Sequence, residues 1–95
     1  MPALHFTVRW PDGSIDRCYS PSRAVRDYLA EGETYPLADF VGRSRRALQL
    51  ASDRVRMRHG FACSNAAAQL DAIERSARSF REHAGAHVTV IGFEE

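Results

Sequence analysis

The run "LHFTVRW" alternates without a break, with Leu4, Phe6, Val8 and Trp10 on one side and His5, Thr7 and Arg9 on the other. A period of two is the pattern of a strand with one buried face. It excludes a helix, which would scatter those apolar side chains around its axis. The "PDG" that follows supplies a turn: Pro11 and Asp12 suit the centre of a type I turn, and Gly13 suits the left-handed residue of a three-residue hairpin loop with a bulge. "SIDRCYS" is then the return strand. With Trp10 opposite Ser14, Val8 faces Asp16, Phe6 faces Cys18 and His5 faces Tyr19. Cys18 therefore joins Leu4, Phe6 and Val8 on the core face, while Ile15, Arg17 and Tyr19 join Thr7 and Arg9 on the other.

Beyond the hairpin the period changes from two to that of a helix. Ser20 before Pro21 predicts a first helix over about 21–30, with Ser20 as its N-cap and Gly32 as its stop. Pro36 opens a second helix over about 36–59, with Asp39 in its first turn. Its stripe is Leu37, Val41, Ser44, Leu48, Ala51 and Val55, and Gly60 ends it. Ser64 caps a third helix over about 64–83, with the stripe Ala66, Leu70, Ile73, Ala77 and Phe80, broken at Gly85. "AHVTVIGF" reads as a closing strand that pairs with the first. The strands thus fall at about 3–10, 14–19 and 86–93. The expected fold is one α+β domain over 1–95, in the order β-β-α-α-α-β. Its three-stranded, mainly antiparallel sheet is the hairpin plus the C-terminal strand, covered on one face by three helices.

Composition narrows the chemistry. The apolar share of 44% and charged share of 26% are those of an ordinary globular chain, and 95 residues suffice for a single core. A net charge of +1 gives no overall attraction for nucleic acid or an anionic membrane. All thirteen basic residues are arginine, so Schiff-base lysines, lysine nucleophiles and the phosphate-binding lysine of a Walker loop are excluded. "MPALHFTVRW" has no secretory pattern and no run is apolar enough to span a bilayer, so a cytoplasmic, reducing compartment is expected. In that setting Cys18 and Cys63 are expected to stay unpaired.

Four groups of residues invite a chemical reading. "CYSPSR" suggests a cysteine-phosphatase loop, but such a loop needs five residues between cysteine and arginine and here there are four. Pro21 also removes an amide that the cradle would use, and Cys18 points inward, where a thiol is inert. His59 and Cys63 in "HGFAC", with Cys18 and His5, could be imagined as a metal site. No close ligand pair lies on one continuous element, however, and Gly85 interrupts the His83/His87 pair of "HAGAH". No metal or cofactor is expected.

The second helix has six arginines against two aspartates, a surplus of +4. Those arginines scatter around every side that is not core, which suits a solvated face with Asp39 and Arg43 as an i,i+4 pair. Nucleic-acid binding through this helix ranks last, because a groove-reading helix gathers its basic residues on one face. Leu50 and Met57, with Phe40 and Ala47, widen the helix's apolar arc beyond what a surface helix needs. A central helix packed on both sides explains that arc; the other explanation is a partner at Leu50 and Met57. The open sheet face is expected to hold His5, Arg9, Ile15, Arg17, Tyr19, Ile91 and Phe93, with Ile15, Tyr19, Ile91 and Phe93 as an apolar spot suited to docking or self-association.

"VRWPDGS…RCYSPS", "YPLADFV", "ALQLASDRVR" and "GFACSNA", in this order and spacing, resemble a small bacterial family of nitrogen-starvation response proteins, over nearly the whole chain. The resemblance implies a cytosolic protein encoded beside a nitrilase, a radical-type enzyme, an acetyltransferase and a flavin oxidoreductase in one gene cluster. It supplies no agreed catalytic residues.

Two readings of function follow. The first is a non-catalytic accessory or regulatory protein that binds another protein, with an enzyme of the same cluster or a second copy of the chain as partner. The expected contact residues are Ile15, Tyr19, Ile91 and Phe93 on the sheet, and Arg43, Arg46, Leu50 and Met57 on the second helix. The alternative is a small enzyme or small-ligand binder using the open sheet face. No nucleophile, base and orienter are legible together, which favours binding.

Overall fold

The computed structural model describes residues 3–60 and 64–95, the side chain of His59 apart. The hairpin forms as the alternation requires. Strand β1 (Leu4–Arg9) pairs antiparallel with β2 (Ile15–Ser20), setting Val8 against Asp16, Phe6 against Cys18 and His5 against Tyr19. Trp10 donates its N–H to the Ser14 carbonyl at 2.8 Å, and Gly13 closes the loop at φ 88°, a conformation that glycine adopts without strain. Asp12 accepts from both the amide and the hydroxyl of Ser14.

Three expectations about the architecture are overturned. The sheet has four strands, not three, in the order β2-β1-β4-β3, with β3 at Thr34–Pro36 and β4 at His87–Glu94. Three residues ending in proline show no alternation, so nothing in the sequence marks β3, and Pro36, expected to open the second helix, ends this strand instead. As an edge strand it tolerates the missing proline N–H. Gly32, at φ 84°, turns the chain onto β4, donating to the Val90 carbonyl at 2.8 Å, while Val90 donates back to Glu33 at 2.9 Å.

Next, the predicted helix over 21–30 is a single 3-10 segment, Arg23–Asp27, capped by Ser22 rather than Ser20. The Ser22 hydroxyl accepts from the Ala24 amide, and the Ser20 hydroxyl donates to the Ser22 carbonyl. These side-chain bonds hold the backbone out of an α-helical start. Only two α-helices therefore cover the sheet: α1 (Leu37–His59) and α2 (Ser64–Arg78). Finally, α2 stops five residues short of the expected end at 83. The Ser79 hydroxyl donates to the Ser76 carbonyl, and residues 79–86 follow as a chain of tight turns.

The two helical stripes do face the sheet. Leu48 and Ala51 of α1 and Ala66, Ile73 and Ala77 of α2 are buried, in one core with Leu4, Phe6, Val8, Val88 and Val90. Ser44 is buried in the α1 stripe, and its hydroxyl has no hydrogen-bond partner among the described residues. Val25 of the 3-10 segment and Leu29 just beyond it complete the core. That segment is too short to flank the far end of α1, so the central-helix explanation of the wide arc fails there: Met57 is 87% exposed.

A β-bulge changes the parity of β4. Val8 pairs with Val90 but Thr7 pairs with Gly92, which leaves Ile91 as the extra residue. Phe93 then pairs with Phe6 and packs against the core, with the Arg26 guanidinium 5.2 Å from its ring centre, instead of standing on the open face beside Ile91. Phe93→Ser should accordingly cost about 2 kcal/mol in urea unfolding, whereas Ile91→Ser should cost less than about 0.5 kcal/mol. Equal losses would restore the unbulged strand.

Candidate functional site

The residues expected to contact a partner do not form one patch. Ile15 is 55% exposed on β2 and Ile91 is 39% exposed at the bulge of β4, both on the sheet layer. Tyr19 is half-buried, its ring edge-on to His5 at 5.7 Å and its amide bonded to Gln69 of α2. Arg43 is engaged within the chain, with Nε on Asp39 at 3.0 Å, Nη1 on the Tyr28 carbonyl at 2.9 Å and its guanidinium over Tyr35. Arg46 and Met57 are exposed on α1 and Leu50 is half-buried there.

The arginines of α1 are largely matched. Arg43 pairs with Asp39, Arg45 with Glu74 and Arg56 with Asp53, and Arg54 reaches the Ser22 hydroxyl. On the open sheet face Arg17 pairs with Glu94, and Thr34 and Thr89 bond each other at 2.9 Å. This face is mostly polar, as the solvated side of an antiparallel sheet should be.

Cys18 is buried under α2, and desolvation, with a smaller contribution from the Asp16 charge, pushes its thiol from an ordinary 9.0 up to about 12. Together with the serine bonds above, this makes "CYSPSR" a strand-to-turn junction rather than a phosphate cradle. Cys63 and the His59 side chain lie outside the described residues, and so does the metal reading that used them. Among the described residues no three His, Cys, Asp or Glu side chains are placed to hold a metal.

Sequence reasoning missed a sizeable concavity among the described residues. The first turns of α1, the end of α2 and the turns over 79–86 enclose an open groove of about 780 Å³. Leu37, Val41, Ala77 and Phe80 make its floor. Phe80 is held from below by Trp10, whose ring stacks on it at 6.0 Å and meets Phe40 edge-on at 5.6 Å. Arg78, Arg81, His83 and His87 line the rim. At the side, Arg45 grips Glu74 through Nε and Nη2 at 3.2 and 2.6 Å. Pro36 gives α1 no side-chain cap; the first amide, at Leu37, donates instead to the Ala86 carbonyl at 3.0 Å, which ties the start of the helix to the turns across the groove.

Among the described residues neither Arg78 nor Arg81 has an ion-pair or hydrogen-bond partner. The signal that could have found this rim is the three-residue spacing of Arg75, Arg78 and Arg81 around Phe80 in "RSARSFREH". It was hidden because the helix was carried past its true end.

In a Cys63→Ser background, a thiol reagent at neutral pH should label Cys18 only on unfolding. The folded state keeps its thiol proton where the unfolded chain releases it. Stability from this group is therefore complete below pH 9.0 and lost as pH rises from there to about 12. Cys18→Ala should remove that part of the alkaline slope in denaturant titrations; an unchanged slope would place the thiol in water.

No helix among the described residues is long and apolar enough to cross a membrane. Comparison with curated proteins and with solved structures finds no match. A family model described as nitrogen starvation-induced protein NitG matches residues 5–93, which takes in the hairpin, both helices and nearly all of β4. The chain belongs to the nitrogen starvation-induced NitG protein family.

Proposed function

We propose that this protein is a non-catalytic accessory protein of the nitrogen-starvation response that works by docking on another protein. The partner class is an enzyme of the same gene cluster. The groove carries this reading: an apolar floor, backed by stacked aromatic rings, lies beside two arginines without partners. Such a surface gains from being covered, because covering removes the floor from water and gives the guanidiniums anions to bind.

Turnover is less well served there. Among the described residues the lining carries no hydroxyl or thiol side chain to pair with His83 or His87, and no carboxylate but Glu74, which Arg45 holds. Nucleic-acid binding is weakened by the pairing of Arg43, Arg45 and Arg56 with acids of this chain, which breaks up the positive face of α1. The exposed Ile15, Ile91, Met57 and Arg46 stay as secondary contact candidates on other faces.

Sedimentation of extracts from nitrogen-starved cells tests the reading. The chain should travel in a complex well above its own 10.7 kDa, and Arg78→Glu with Arg81→Glu should release it to the monomer position. A wild-type chain already at the monomer position would sink the proposal. Self-association of the purified chain, unaffected by the two substitutions, would assign the complex to a second copy instead.

A further inference from the structure

Resting on that docking reading, we propose that the groove recognises an acidic segment of the partner chain in which a carboxylate side chain stands beside a bulky apolar one. The carboxylate requirement comes from the rim. Arg78 ends α2 and Arg81 follows three residues later in the turns, and no acid among the described residues pairs with either. A guanidinium presents its N–H groups as a planar fork that matches a carboxylate, and it is weakly hydrated enough to work against apolar surface. The groove already holds one instance of that match, since Glu74 receives two N–H donors from Arg45 through a single oxygen.

The apolar requirement comes from the floor. Leu37, Val41 and Phe80 pack against the core from one side and line the groove with the other. The Trp10 ring backs Phe80, nearly parallel to it at 14°. A ligand of charge alone would leave this floor wet, and one without charge would leave the rim unmatched.

A chain segment fits better than a free small acid. The groove is open along one side and about 780 Å³ in volume, so a small molecule would keep much of its surface in water. A peptide lays its backbone along the open side and sends neighbouring side chains to rim and floor. Because the charges sit beside apolar surface, where water is partly excluded, the contact sharpens selectivity more than a rim pair on a bare surface does.

The test is fluorescence anisotropy with a short labelled peptide of glutamates around one phenylalanine, compared with its glutamine counterpart. The acidic peptide should bind at least about tenfold more tightly, with the margin shrinking as salt is raised. Arg78→Glu with Arg81→Glu should abolish the preference. Ala38→Trp, which fills the groove and leaves its charges, should weaken both peptides, and Arg58→Glu, an exposed arginine of α1 away from the groove, should change neither. Equal binding of the glutamine peptide, or an equal loss from Arg58→Glu, would overturn the proposal. Hexanoate binding as tightly as the peptide would overturn it in favour of a small-acid site. If neither peptide binds while Arg78→Glu with Arg81→Glu still frees the chain from its complex in sedimentation, the acidic-segment chemistry falls and the docking reading stands. If the substituted chain also stays in its complex, both fall.

Discussion

The placement of β4 between β1 and β3 is the constraint on which the rest of the structure depends. It brings the end of the described chain into the middle of the sheet, where Val88 and Val90 are fully buried. On one side it zips to the hairpin; on the other it captures first the Gly32 turn and then β3. Pro36 leads directly from β3 into α1, and the first amide of that helix, at Leu37, donates to the Ala86 carbonyl just before β4 begins. One strand therefore sets where α1 starts and where the turns after α2 must arrive. Those two places are the walls of the groove.

Trp10 performs the same service from the hairpin. It is buried where β1 ends, donates its indole N–H to Asp16 at 2.7 Å and sits between Phe40 of α1 and Phe80 after α2. Aromatic pairs in edge-on and stacked geometry are worth about 0.5–1.5 kcal/mol beyond their buried area. The larger consequence is positional, because the hairpin's last inward side chain supports the groove floor. A feature legible in the first ten residues thus holds up a surface formed by residues some seventy positions later.

How much could be read in advance follows from how local the determinants are. The hairpin register and the two helical stripes were legible, since each is written within one element as a period of two or 3.6 and a glycine stop. β3 was not, because three residues with a proline become a strand only when β4 offers an edge. The face of Phe93 was misread for a related reason: parity counting assumes a regular ladder, and the bulge at Ile91 is a response to β1, not a property of "VIGF". The end of α2 was overrun because Phe80 continues the helical spacing even though Trp10 holds it from outside the helix. Of the candidate site, Cys18 was correctly placed inward by register, whereas the groove joins two separated segments, 36–45 and 74–87, and only its arginine rim has a linear signature.

The arginines show why that groove stands apart from the rest of the surface. Isolated surface ion pairs contribute little stability, about 0–1 kcal/mol each, so the pairing of Arg17, Arg23, Arg26, Arg43, Arg45, Arg56 and Arg75 with acids is not what holds the fold. Its effect is to decide which guanidiniums stay available. Among the described residues Arg9, Arg46 and Arg58 are also unpaired and exposed, yet none of them lines the apolar concavity, and an anion meeting them there stays fully hydrated. Arg78 and Arg81 combine an unmatched charge with an adjacent apolar floor. Contact strength rises as water is excluded, so a guanidinium beside apolar surface is better placed to hold an anion than one on a bare surface. On the docking reading proposed above, the groove's selectivity would come from the pairing of the other arginines as much as from the two it exposes.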